Sequence, residues 1–139
     1  MAAKMEGHKP GFGQIARQGA IAGIGATVVN AILFFIGSVL GAFPDNVLVP
    51  QTGAPVSITD ILIISIMSTV GAIVGYFVLS RIFSVARAKQ IFTILAVLVL
   101  LGMATTPFSI PDVPMLQIVL LEVMHVVLGG ALVYYLVKA

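Results

Sequence analysis

Residues Met115 to Val137 read MLQIVLLEVMHVVLGGALVYYLV, and this stretch decides how the rest of the chain is understood. Its 23 residues are long enough to cross the roughly 30 Å hydrocarbon core of a bilayer as a helix. Inside it stand Glu122 and His125. Three residues apart on a helix, the two side chains share a face, about one turn from each other. Ionisable groups at membrane depth are costly and mark candidate sites, each calling for a partner.

Composition places the whole chain in the same environment. Of its 139 residues 60% are hydrophobic and only 9% charged, and the mean hydropathy is +1.17. Soluble domains carry about a quarter charged residues, so this is an integral membrane protein. The length holds one domain of four spans, about 20 residues each. The fold class expected is an all-α, four-transmembrane-helix antiparallel bundle. There is no cysteine, which excludes disulfides, thiolate metal centres, iron–sulfur clusters and cysteine nucleophiles. The formal charge is +2 and the basic residues come in ones and twos, which excludes a nucleic-acid surface.

Working outward, the fourth span is about 115–137 and the other three are expected at about 19–41, 60–80 and 90–105. Residues 1–18, with Lys4, Lys9, Arg17, Glu6, His8, Pro10 and Gly11, read as a cytoplasmic tail. The first apolar run exceeds a signal-peptide core, and Leu40 occupies the position where cleavage after Ala42 needs a small residue, so the run is retained. Residues 42–59 make a long outer loop containing Pro44, Pro50 and Pro55. There a Gln51-Thr52-Gly53 turn between Val47-Leu48-Val49 and Val56-Ser57-Ile58 predicts a small hairpin-like flap. Thr59 or Asp60 is expected to cap the second span. Arg81, Arg87 and Lys89 mark a short basic connection, and 106–114 forms a second outer loop, with Pro107, Phe108 and Asp112.

All seven Lys and Arg residues fall in the tail, the connection between spans two and three, or the C-terminus. The positive-inside rule therefore puts both termini in the cytoplasm, the protein crossing its membrane several times. Tyr134 and Tyr135 near one end and Phe43 and Phe108 near the other fit interfacial anchoring.

Counting inward at about 1.5 Å per residue sets Asn30, Ser68 or Thr69, and the Glu122 and His125 pair at similar depth on three helices. These are the candidate ligand- or proton-binding residues, because lipid offers none of them a partner. Thr93 is the third helix's polar group, nearer the inner surface. Small residues lie on related faces: Gly19, Gly23, Gly37 and Gly41 on the first span, Gly71 and Gly75 on the second, Gly129 on the fourth. Gly19 to Gly23, Gly37 to Gly41 and Gly71 to Gly75 are GxxxG spacings that bring a neighbouring helix close.

Intramembrane Asn, Ser, Thr and His also clasp one helix to another for about 0.6–2 kcal/mol, and that reading stands beside the functional one. Glu122 favours function, since glutamine would bond equally well without the desolvation cost of an ionised acid. A proton or small-cation relay needs only this pair and an aqueous path. A metal would need more ligands than the one Glu-x-x-His motif supplies. A haem could take His125 axially, with a second ligand from another subunit. Hydrolysis ranks last, as no nucleophile, base and orienting acid assemble.

The basic tail, the Gly/Ala-rich first span with Val28-Val29-Asn30, the proline-bearing loop, and the fourth span with Met124-His125 before small residues resemble a group of small bacterial four-helix membrane proteins. That group is familiar from actinobacteria and is classed as a domain of unknown function. The resemblance implies a fold and a membrane location, with Asn30, Met124 and His125 as matching positions, and no substrate or cofactor. The expected function is thus a small membrane protein holding a ligand, ion or proton at a midplane polar site. The alternative is an accessory subunit of a homo-oligomer or larger membrane complex; a lipid- or quinone-directed enzyme comes third.

Overall fold

The computed structural model describes residues 7–139; Lys4 and Glu6 of the expected tail lie outside them. The chain forms four helices, α1 (Phe12–Val39), α2 (Ile58–Ile82), α3 (Val85–Met103) and α4 (Met115–Leu136), with a short 3-10 turn at Thr106–Ser109. All four are long and apolar enough to cross a membrane, with mean hydropathies of 2.1 to 2.3 in their richest windows. The protein is a multi-pass membrane protein with the expected all-helical, antiparallel architecture. The helices form a ring in which α1 packs against α2 and α4, α3 packs against the same two, and α1 and α3 do not meet.

The interior is small and the outside is apolar, as lipid requires. Ile15, Ala22, Ala26, Tyr76, Phe92, Leu128, Leu132 and Leu136 form one buried cluster, and Phe34, Ile61 and Met124 a second. The α3 helix is the least enclosed: its surface turns Ile94, Leu98 and Leu101 outward. Tyr76 and Phe92, ring centres 5.2 Å apart, join α2 to α3.

Local chemistry sets where each helix begins and ends, and here several expectations need correction. The tail was expected to reach Gln18, but α1 starts at Phe12. Pro10 and Gly11 stand ahead of the helix, where proline's missing N–H and glycine's freedom do no damage. Phe12 then packs edge-on to Phe77 at 5.2 Å, the Arg81 guanidinium donates to the Pro10 carbonyl, and Ile15 is fully buried. Those contacts with α2 extend the helix. At its other end Gly41 adopts φ 76°, with Ala42 N–H donating to Gly37 O at 2.8 Å and Gly41 N–H to Ser38 O at 3.1 Å. This is a Schellman cap, so Gly41 terminates α1 and is not part of its packing stripe.

The predicted flap contracts to a single bridge, Val49 to Ala54, closing over the turn in which Gly53 takes φ 64°. Its return arm is absent because Ser57 is occupied otherwise. Ser57, rather than Thr59 or Asp60, caps α2: its hydroxyl accepts from Asp60 N–H at 3.3 Å while the Asp60 carboxylate accepts from Ser57 N–H at 3.0 Å. This reciprocal box satisfies donors that the helix leaves open. Ser57→Ala is expected to cost about 1 kcal/mol, read as a lower thermal midpoint in detergent, and Thr59→Ala almost nothing.

The connection from α2 to α3 is only Phe83 and Ser84. Arg87 and Lys89 of the basic connection therefore belong to the first turns of α3, which begins about a turn ahead of Gln90. Lys9 Nζ reaches the Arg81 carbonyl at 3.3 Å, which ties the start of the described chain to the α2–α3 junction at one end of the bundle.

Candidate functional site

Each candidate residue owes its position to the rotation of its helix about its own axis. Asn30, only 3% exposed, faces α4 and donates Nδ2 to the Met124 carbonyl at 3.1 Å, leaving its buried Oδ1 unpartnered. Thr69 faces α1: its side chain lies where a Cβ on Gly23 would be, and its hydroxyl donates to Ser65 O at 2.7 Å. Asn30 and Thr69 thus serve the two α1 interfaces.

Ser68, one residue and about 100° round the helix from Thr69, points elsewhere. It lines a cavity of about 630 Å³ between α2, α3 and α4. His125 stands on the same wall, with Gly71, Gly75, Phe92, Leu95, Val99 and Leu128 among the apolar lining. The structure therefore brings Ser68 and His125 together and separates them from Asn30 and Thr69; Asn30 and Glu122 do not line the cavity.

His125 makes no hydrogen bond to any described residue. Its Nδ1 is buried and unpartnered, whereas Nε2 is not among the buried orphan atoms. Glu122, one turn away, likewise carries a buried unpartnered oxygen, Oε1. The two do not bond each other, and among the described residues no three His, Cys, Asp or Glu side chains gather at one place.

The glycines divide in the same manner. A Cβ at Gly19 would overlap Ile73, at Gly23 Thr69, at Gly37 Leu120 and at Gly129 Leu100. These four are close-approach points between helices. Gly71 and Gly75 meet nothing within 4 Å, so that GxxxG pair opens onto the cavity without a helix against it.

Residues 10–139 match the family of unknown function DUF6069. The chain belongs to that family. No curated protein and no solved structure matches it. For this DUF6069 chain the site must accordingly be built from its own side chains.

Two buried polar groups escape sequence reasoning. Gln117 is 1% exposed with Oε1 unpartnered, and the buried Tyr76 hydroxyl has no partner either. A polar residue inside an apolar run was the available signal for Gln117. Near the start of the span it reads equally as an interfacial residue, and only the packing of α4 decides.

Proposed function

We propose that this DUF6069 chain is a non-enzymatic protein of the bacterial inner membrane, both termini cytoplasmic, that holds an elongated hydrophobic ligand bearing one hydrogen-bonding group in the α2–α3–α4 cavity. His125 takes that group, with Ser68 beside it, and the hydrocarbon lies along Leu95, Val99 and Leu128. The observation that carries this reading is an imidazole on the wall of an otherwise apolar cavity with no protein partner. Used only as a clasp, His125 would be bonded, as Asn30 is. An apolar lining also suits hydrocarbon better than a hydrated ion, which needs several oxygen ligands. Orientation is supported by charge: Lys9, Arg17, Arg81, Arg87, Lys89 and Lys138 gather at one end of the bundle, and Asp45, Asp60 and Asp112 at the other.

A second reading is favoured by Gly71 and Gly75. A transmembrane helix of another chain, or of a second copy, could seat on that uncovered GxxxG pair, making the protein an accessory subunit. Labelling separates the two. A long-chain fatty alcohol carrying a diazirine, photolysed in membranes, is expected to modify the peptides containing Ser68 and Leu95 to Val99. Labelling there should fall about tenfold in Gly71→Leu, whose side chain fills the cavity, as loss of one good apolar site implies. Even labelling of those peptides and of outward residues such as Ile32 and Val126 contradicts ligand binding. Protection of the cavity by a co-purifying chain supports the subunit reading instead.

A further inference from the structure

A shallow surface pocket lies apart from the first cavity, at the basic end of the bundle. It measures about 410 Å³ and is lined by Lys89, Gln90, Thr93 and Ile94 of α3 and by Val137 just after α4. Lys89 is half-buried there. Three other cations at this end are engaged elsewhere: Arg81 donates to Pro10 O and lies 4.9 Å over the Phe77 ring, Lys9 donates to Arg81 O, and Lys138 donates to the Tyr134 hydroxyl and covers its ring. Arg17 and Arg87 are exposed and do not line this pocket. Lys89 does line it, and its ammonium makes no hydrogen bond to a described residue. Its carbonyl does accept the Thr93 hydroxyl at 2.8 Å, which holds the first turns of α3 together beneath the pocket.

Two further features define what would fit. No Asp or Glu among the described residues lies at this end, so the basic side chains set the local charge; the positive start of α3 at Ser84 is offset by the carbonyl ends of α2 and α4. From the pocket toward the membrane centre, Ile94, Leu98 and Leu101 follow at helical spacing, each more than half exposed. An acidic group at Lys89 and Gln90 would have its hydrocarbon continue along that track.

We propose that Lys89, Gln90 and Thr93 form a headgroup site for an anionic glycerophospholipid of the cytoplasmic leaflet, with one acyl chain on Ile94, Leu98 and Leu101. The site does not depend on the ligand proposed for the α2–α3–α4 cavity, and its ligand is distinguished by charge. Lys89 supplies the charge contact with the phosphate, Gln90 an amide donor, and Thr93 the fixed turn that presents them. Juxtamembrane lysines engage acidic lipid in this manner, each changing binding by about fivefold.

The test uses the full chain in mild detergent, titrated with dioleoylphosphatidylglycerol or dioleoylphosphatidylcholine and read by native mass spectrometry as lipids retained per chain. Phosphatidylglycerol is expected to be retained at about fivefold lower concentration than phosphatidylcholine. Lys89→Gln should remove that preference, Lys89→Arg should keep it, and Arg17→Gln, elsewhere on the basic end, should leave it unchanged. Equal retention of the two lipids in the native chain, or a preference that survives Lys89→Gln, overturns the proposal. So does displacement of phosphatidylglycerol by millimolar inorganic phosphate, which would mark a phosphate site indifferent to lipid. Should Lys89→Gln prove unstable, a preference lost in Lys89→Met carries the same meaning, and one retained there overturns the site.

Discussion

Gly23→Ala is expected to destabilise the bundle strongly. The new Cβ would stand 2.9 Å from Thr69 Cβ and closer still to the hydroxyl and methyl of that residue, well inside van der Waals contact. Thr69 cannot swing away cheaply. It is β-branched, with few rotamers in a helix, and its hydroxyl is engaged with Ser65 O at 2.7 Å. The helices must separate instead, and α1 holds much of the buried core through Ile15, Ala22 and Ala26. Overpacking of this kind costs about 1–3 kcal/mol. In a membrane no hydrophobic drive compensates, since helix association there rests on packing itself. Equilibrium unfolding in mixed micelles measures it. Thr69→Ala removes two of the three overlapping atoms, so the double variant should recover part of the loss, a coupling that a mutant cycle reports directly. Gly25→Ala, where nothing lies within 4 Å, should be neutral.

His125→Ala is expected to do the reverse: to leave the bundle almost as stable as before and to empty the α2–α3–α4 cavity. His125 bonds no described residue, so its removal costs packing alone. In the bound state it would supply the ligand's one polar contact in an apolar pocket. Losing such a hydrogen bond, about 1–1.5 kcal/mol, lowers retention about tenfold. Asn30→Leu provides the contrast. It breaks the Nδ2 bond to the Met124 carbonyl and should cost about 1 kcal/mol of stability with ligand retention little changed. If the two residues acted as one site, as depth alone would have them, both variants would lose ligand together.

That contrast also marks what could be read from the chain without coordinates. The four apolar runs and the segregation of Lys and Arg settle span number and antiparallel order, because lipid permits few other arrangements. Counting residues along a helix of known rise gives an expected depth. Rotation about the helix axis was not legible. Ser68 and Thr69 differ by one residue, yet one enters the cavity and the other presses on Gly23, and only the fit of α1 against α2 selects between them. The glycines repeat the lesson: Gly19-x-x-x-Gly23 and Gly71-x-x-x-Gly75 carry the same signature, but the first is covered by Ile73 and Thr69 while the second faces open space. A close-approach motif states that a helix can come near, not that one of its own chain does.

Helix ends were obscured for a different reason. Pro10-Gly11 is compatible with a break or with a start, and the choice lies with Phe12 packing on Phe77 of α2 and Ile15 joining the buried cluster. Ser57, Thr59 and Asp60 are all cap-forming types; Ser57 prevails because Asp60 falls three residues later and closes the box.

A hydrophobic ligand held in the α2–α3–α4 cavity through His125 is tested most directly by a native mass spectrum of the gently solubilised protein beside its His125→Ala variant. A whole-number multiple of the chain mass plus a reproducible extra mass is expected in the native protein, with the ligand's retention about tenfold weaker in the variant at unchanged subunit number. A spectrum of the bare chain or bare oligomer, or an extra mass indifferent to His125, would contradict it.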